Sequence, residues 1–117
     1  MLIAAGIIFI GARFLVAPHA AAEAFGVPAD GTRTLAYLWA KGTRDIVSGL
    51  LVIALLWIGV GRRVLAAFIG VAALIPIGDC INVYVSVGAS NPMALAIHGG
   101  TAIFMLILAV FLWTGSR

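Results

Sequence analysis

Residues 41–59 read KGTRDIVSGLLVIALLWIG, an apolar stretch headed by three charged side chains. Its uncharged part, residues 46–61, is shorter than the roughly 20 residues that a helix needs to cross a bilayer. A spanning helix here therefore has to carry Asp45 inside the membrane. Residues 64–78 form a second uncharged run that is too short to span a bilayer, so a spanning helix here has to carry Asp79 inside the membrane.

The composition of the whole chain is typical of an integral membrane protein. Of 117 residues, 64% are hydrophobic and only 9% are charged, and the mean hydropathy is +1.22, whereas about a quarter of the residues of a globular protein are charged. We predict a single all-α domain, a four-transmembrane-helix bundle with a short interfacial helix from Pro18 to Phe25 between helices 1 and 2. The predicted spans are residues 1–17, 34–59, 64–87 and 92–113.

Small residues and one proline indicate how these helices are built. Helices in lipid approach each other closely at small side chains, and we expect such contacts at Gly6, Gly49 and Gly70. Pro76 lacks a backbone N–H and is expected to kink the third span. The short interfacial helix is a candidate lid over the bundle.

The basic residues predict the orientation and exclude one class of partner. Four spans place Arg62, Arg63 and Arg117 on one side and only Arg33 on the other, so the positive-inside rule predicts that both termini are cytoplasmic. The net charge of +3 is scattered rather than clustered, which argues against a nucleic-acid partner. The single cysteine, Cys80, excludes an internal disulfide and is predicted to be a small core residue.

Ionisable groups fall at one depth in all four predicted spans. At about 1.5 Å rise per residue, Lys41, Arg44 and Asp45 lie about 10 to 16 Å from the outer end of their helix. Asp79 comes out about 12 Å deep, His98 about 9 Å and Arg13 about 8 Å. The agreement predicts one polar layer in the outer half of the bilayer.

Helical spacing predicts that these groups face inward. Residues three and four apart share a face of a helix, and a central charge facing lipid would cost about 2.5 to 3.5 kcal/mol or more, so burial of the polar faces against one another is preferred. We expect a polar chamber lined by four stripes, which are Arg13 with Gly6 and Phe9; Tyr37, Lys41, Arg44, Asp45 and Ser48; Asp79, Asn82 and Ser86; and His98, Thr101 and Met105.

Simpler roles compete with a functional one for the same residues. Arg13 or Arg44 paired with Asp45 or Asp79 could serve only as an internal ion pair that fixes helix register, although six ionisable groups exceed that need. His98 suits a neutral core histidine as well as a proton-transfer residue. No metal site is predicted, because only one histidine is intramembrane and no i, i+4 ligand pair exists.

The charge balance suggests what the chamber binds. The three cations exceed Asp45 and Asp79 by one charge when His98 is neutral, which favours an anionic head group or a developing oxyanion on a lipophilic small molecule. We predict that His98 or Asp79 moves a proton while Arg44 and Lys41 hold the negative oxygen, as in an isomerisation or epoxide opening that needs no cofactor. Arg13 and Asp45 are expected to orient these groups. The predicted ligand-binding residues are Arg13, Tyr37, Lys41, Asp45, Asn82 and Thr101.

Two other functions use the same pattern. A small transporter would employ the charges as a coupling relay and would need access from both sides. A passive subunit of a membrane complex would have all charges paired and no cavity. The expected partners are the lipid bilayer, the lipophilic small molecule and further copies of this chain in a homo-oligomer. Enzymatic activity is one of three hypotheses at this point.

Four motifs together resemble a known family. They are a glycine and an arginine late in the first helix, residues 41–45 (KGTRD), residues 76–79 (PIGD) and residues 98–102 (HGGTA). The chain resembles, over nearly its whole length, small four-helix membrane proteins of bacteria and fungi that are catalogued as a domain of unknown function and are similar to the DoxX-like group. The resemblance implies the fold but no settled activity. Some relatives in that group are linked to quinone or thiol redox chemistry, for which Cys80 is no direct support.

Overall fold

The structure is a computed structural model that describes residues 1–29 and 31–115, with backbone alone at residues 32 and 33. Of the residues that the structure describes, 88% are helical and none lies in a strand. The chain forms two compact units, Met1–Ile58 and Gly59–Arg117. The elements are α1 (Leu2–Val16), α2 (Pro18–Phe25), α3 (Thr32–Ile58), α4 (Arg62–Ala72), α5 (Leu74–Val87), a 3-10 turn (Gly88–Ser90) and α6 (Pro92–Thr114).

Glycines bring α1 and α3 into direct backbone contact in the first unit. A Cβ atom on Gly11 would lie 2.6 Å from the carbonyl oxygen of Gly42, and one on Gly49 would lie 2.8 Å from that of Ala4. Gly11 of α1 lies against Gly42 of α3, and Ala4 lies against Gly49. Because the residue numbers increase in opposite directions along the contact, the two helices are antiparallel. The prediction of a close approach at Gly49 is confirmed, whereas that for Gly6 is wrong, because a Cβ there would meet nothing within 4 Å.

The short helix α2 has the predicted bounds. Pro18 occupies its first turn, where the missing N–H costs no hydrogen bond. Gly26 ends it with φ of 97°, a left-handed conformation that glycine adopts without strain. The buried face of α2 consists of Ala21, Ala22 and Phe25. This face directs one large side chain, Phe25, into the first unit.

The second unit consists of α4 and α5 packed along α6. The predicted helix over residues 64–87 is interrupted at one residue, Ala73, whose φ and ψ of −62° and −19° remain helical, so that α4 and α5 follow each other directly. Pro76 explains the break, because it has no amide hydrogen to donate to the carbonyl four residues earlier. A Cβ on Gly70 would lie 3.7 Å from the Cβ of Ala109, which confirms the predicted approach at Gly70.

Both ends of α6 are tied to side chains. Asn91 caps its first turn, since the Oδ1 atom accepts from the N–H of Ala94 at 3.1 Å. At the other end, Arg62 Nη1 donates to the carbonyl oxygen of Gly115 at 2.7 Å, and the Arg62 guanidinium lies 5.6 Å from the Phe111 ring centroid. The first residue of α4 therefore lies beside the end of α6.

Two stretches are long and apolar enough to cross a membrane, namely Arg62–Ser90 and Pro92–Thr114. In each, an 18-residue window has a mean hydropathy of 2.3, and only 28% and 11% of these windows, respectively, is buried within the protein. At 15 residues, α1 is apolar but shorter. The third helix, α3, has sufficient length, but every stretch of 18 residues within it contains Lys41, Arg44 and Asp45.

Candidate functional site

Three charged residues of α3 form one hydrogen-bonded cluster, here called the α3 charge cluster: Lys41, Arg44 and Asp45. Lys41 Nζ donates to Asp45 Oδ2 at 3.1 Å. Arg44 approaches the other carboxylate oxygen, with Nε at 3.0 Å and Nη2 at 2.9 Å from Oδ1. Each oxygen of Asp45 therefore faces its own cation. Because these pairs lie within one helix, they do not fix the register between helices.

The ammonium group of Lys41 is enclosed by two aromatic rings from other helices. It lies 5.1 Å from the ring centroid of Phe14 in α1 and 4.5 Å from that of Phe25 in α2. The rings meet edge to face, with centroids 6.1 Å apart. Ring faces attract cations, so this enclosure and Asp45 replace the water that a lysine normally requires. Only 4% of the Lys41 side chain is exposed.

Arg44 is the accessible member of the α3 charge cluster. Its side chain is 38% exposed, compared with 8% for that of Asp45. Two cations and one carboxylate leave the cluster with a formal charge of +1. A planar guanidinium at an accessible edge is well suited to bind a carboxylate or a phosphate.

Arg13 does not share the face of α1 that packs against α3. It is two residues from Gly11, about 200° around the helix, and its side chain is exposed. Phe9, predicted on the same face as Arg13, is also exposed. The close approach to α3 is made by the smallest residues of another face of α1, Gly11 and Ala4, and the inward orientation of Arg13 stays a prediction.

Tyr37 lies one turn before Lys41 on α3, and 54% of the residue is exposed. Ser48 donates its hydroxyl proton to the carbonyl oxygen of Arg44 at 2.8 Å. The predicted stripe on α3 thus divides into a buried part, Lys41 and Asp45, and an accessible part that includes Tyr37 and Arg44.

The second unit holds the remaining predicted site residues. Asp79 on α5 is buried, with 7% exposure, and His98 on α6 is half-buried. Each precedes a residue of one contact between the two helices. Cys80 Sγ lies 3.7 Å from the carbonyl oxygen of Leu95, and a Cβ on Gly99 would lie 3.8 Å from the same sulfur. This contact puts the two residues at similar levels of α5 and α6. Cys80 itself is half-buried.

Two polar residues predicted to bind ligand make short-range hydrogen bonds. Thr101 donates its hydroxyl to the carbonyl oxygen of Ile97 at 2.7 Å, and its side chain is exposed. Asn82 is half-buried and accepts from Ser86 through Oδ1 at 3.5 Å. Among the described residues, no group of three or more His, Cys, Asp or Glu side chains could hold a metal ion.

Sequence reasoning missed four residues that build the site. Gly11 and Gly42 set the close crossing of α1 and α3, and Phe14 and Phe25 enclose Lys41. Gly42 lies inside the KGTRD motif, next to Lys41, which is a signal that could have drawn attention to it. No signal marked Phe14 and Phe25 among the apolar residues of their helices.

One protein family matches this chain. Its model, described as Domain of unknown function (DUF4267), matches residues 4–112, a range that includes the α3 charge cluster, Asp79 and His98. No curated protein and no solved structure matches the chain. The predicted resemblance to a domain of unknown function is confirmed, and the similarity to the DoxX-like group stays a prediction.

Proposed function

We propose that this chain, which belongs to the DUF4267 family, is a four-span membrane protein whose α3 charge cluster binds the anionic head group of a lipophilic small molecule. The observation that carries the proposal is the arrangement of this cluster. A buried lysine and aspartate hold a half-exposed arginine in place, and the formal charge of the three is +1. A cluster of this sign favours an anionic head group beside the arginine, whose planar guanidinium suits a carboxylate or a phosphate.

Exposed apolar surface supports four spans rather than two. In the first unit, large apolar side chains of α1 and α3 are exposed; Phe9, Leu50 and Trp57 are 65%, 53% and 88% exposed. Soluble proteins rarely expose large apolar patches to water. We therefore place α1 and α3 in the bilayer as a pair, in which Phe14 of α1 and Phe25 of α2 shelter Lys41 from lipid.

The first prediction concerns topology. With both termini cytoplasmic, single cysteines introduced at Ala24 and Ala89 in a Cys80→Ala background should react with a membrane-impermeant maleimide added to intact cells. A cysteine at Gly61 should react only after the membrane is opened. Labelling of all three positions from outside, or labelling of Gly61→Cys alone, would contradict four spans with this orientation.

Arg44 gives the second prediction, a loss of ligand affinity. We expect Arg44→Gln to weaken binding of a lipophilic carboxylate about 10- to 100-fold, because hydrogen bonds to a charged group contribute about 1.5–3 kcal/mol each. The measurement is fluorescence titration of dansyl-aminoundecanoate into the protein in phosphatidylcholine nanodiscs. The methyl ester of the probe, which is neutral, should bind wild type and variant equally.

Arg62→Gln is the matched control, since it removes an arginine that lies against the end of α6 and not in the α3 charge cluster. It should bind the probe as the wild type does. Equal losses in Arg44→Gln and Arg62→Gln would mean that the anion responds only to overall charge, and the proposal of a specific head-group site would be abandoned.

Acid–base catalysis is the second part of the proposal, and we assign it to His98 and Asp79. In an epoxide opening, the oxygen of water bonds to one ring carbon while that carbon's bond to the ring oxygen breaks. One group accepts a proton from water and another protonates the ring oxygen, so that atoms and charge balance without a cofactor. A neutral histidine suits this exchange because one ring nitrogen can accept a proton while the other donates one.

The third prediction follows for His98→Gln, which keeps hydrogen-bonding capacity and much of the side-chain volume. We expect it to bind dansyl-aminoundecanoate within about twofold of wild type but to convert 9,10-epoxystearate to the diol at least about 100-fold more slowly, the typical contribution of general acid–base catalysis. Product formation is followed by mass spectrometry. An active His98→Gln protein, or a wild type that leaves the epoxide unchanged, would reject this catalytic role.

The strongest competing hypothesis is a purely structural one. The Lys41–Asp45 pair is buried and satisfied, as expected for a passive subunit. That hypothesis predicts that Arg44→Gln and Lys41→Met change stability without changing any binding. A transporter would bind the same anion but would also carry it across proteoliposome membranes, which a pocket closed on one side would not.

A further inference from the structure

Lys41 carries a positive charge that a ligand cannot contact, because the rings of Phe14 and Phe25 enclose its ammonium group. Its ammonium group lies under the Phe25 ring at 4.5 Å, beside Phe14 at 5.1 Å, and its side chain is 4% exposed. Phe25 is the last residue of α2, and the other buried residues of that helix are two alanines. A single large side chain therefore covers the lysine from the side of α2.

The two ends of α2 suit a hinged segment. At its start, Ala17 has φ and ψ of −135° and 65°, which belongs to neither flanking helix. At its end, Gly26 adopts φ of 97°. Segments with few buried apolar contacts open locally at a lower free energy than the whole fold. An eight-residue helix held by two alanines and one phenylalanine meets that description.

We propose that α2 is a lid over the α3 charge cluster and that its opening makes Lys41 a second cationic contact for the anionic head group. In the closed state the Phe25 ring and Asp45 stabilise the ammonium. In the open state an incoming anion takes the place of the ring, so a cation–π contact is exchanged for an ion pair. The ligand part of this inference rests on the proposed function, whereas the lid does not.

The chain offers a direct readout, because Lys41 is its single lysine. A water-soluble acetylating reagent, N-hydroxysulfosuccinimidyl acetate, can react only with Lys41 and the terminal amine, and the latter serves as an internal reference. Wild type in phosphatidylcholine nanodiscs should be acetylated slowly at Lys41. Phe25→Ala should accelerate that reaction at least about tenfold, since the lid loses its only large buried side chain.

Controls separate opening of the lid from other effects. His19→Ala changes an exposed residue of α2 and should leave the rate within about twofold of wild type. Phe25→Leu keeps an apolar side chain and serves if Phe25→Ala fails to fold; we expect an intermediate rate. Hydrogen exchange of the α2 amides should rise in parallel with acetylation. Faster acetylation without faster hydrogen exchange would mean that the Phe25 ring changes only the reactivity of the Lys41 amine, and the lid would be rejected.

Laurate distinguishes failure of the lid from failure of the proposed function. We expect laurate, but not methyl laurate, to slow acetylation of Lys41 in wild type by at least about threefold, because an ion pair with the carboxylate shields the amine. A Phe25-dependent rate that laurate does not change would retain the lid and overturn the head-group site. Arg44-dependent laurate binding, with acetylation unaffected by Phe25→Ala, would retain the site and overturn the lid.

Discussion

Asp45→Ala is expected to lower the free energy of unfolding by about 3–5 kcal/mol, the cost of leaving a buried charge without its partner. Lys41 would remain between two rings with 4% of its side chain exposed and without the carboxylate that lies 3.1 Å from its nitrogen. Arg44, at 38% exposure, can turn toward water and suffers less. The measurement is equilibrium unfolding in mixed micelles, followed by circular dichroism.

A double-mutant cycle tests whether the loss belongs to this pair. Lys41→Met removes the charge and leaves a flexible apolar side chain between the two rings, so the double variant Lys41→Met/Asp45→Ala contains no unpaired buried charge. It should lose less stability than the sum of the single variants. Arg13→Ala is the matched control and should stay within about 0.5 kcal/mol, because Arg13 is exposed. Additive losses would show that Lys41 and Asp45 are independent.

The second large effect is expected from a single methyl group on Gly11. A Cβ there would lie 2.6 Å from the carbonyl oxygen of Gly42 and 2.9 Å from the backbone nitrogen of Ile46. Backbone atoms cannot move aside unless α1 and α3 separate, so we expect Gly11→Ala to cost about 1–3 kcal/mol or more. The same unfolding measurement checks this value, and the separation should also loosen the enclosure of Lys41.

Gly6→Ala is the matched control on the same helix. A Cβ at Gly6 meets nothing within 4 Å, and alanine is about 1 kcal/mol more favourable than glycine in a helix, so the change should be neutral or stabilising. Gly42→Ala should resemble Gly11→Ala, since its Cβ would lie 2.7 Å from the carbonyl oxygen of Gly11. If Gly6→Ala and Gly11→Ala have equal effects, helix propensity rather than the crossing explains them.

Helix boundaries could be predicted largely from local signals. Pro18 and Gly26 bound α2 as expected, and Pro92 begins α6 with Asn91 as its cap. These signals act within one turn of the chain, through missing N–H groups and left-handed backbone, and need no knowledge of distant residues. The one-residue break at Ala73 had a local cause as well, in Pro76, which was expected to kink this span.

The packing face of α1 could not be predicted in the same way. In an amphipathic helix, polar residues mark the outer face, but α1 is apolar on all sides except at Arg13, so its apolar pattern does not distinguish one face from another. Arg13 suggested an inward face by its charge alone. Close approach to α3 depends instead on Gly11 and Ala4, and their role becomes visible only with the partner helix alongside.

By itself, the sequence determined the helical class, most helix ends and the membership of Lys41, Arg44 and Asp45 in one polar stripe, because proline, glycine and i, i+4 spacing act locally. The tertiary structure decided which cation is buried and which is accessible. Both cations pair with the same carboxylate. They differ because Phe14 and Phe25 come from two other helices, and an antiparallel crossing at glycines brings α1 close enough for the Phe14 ring to reach Lys41.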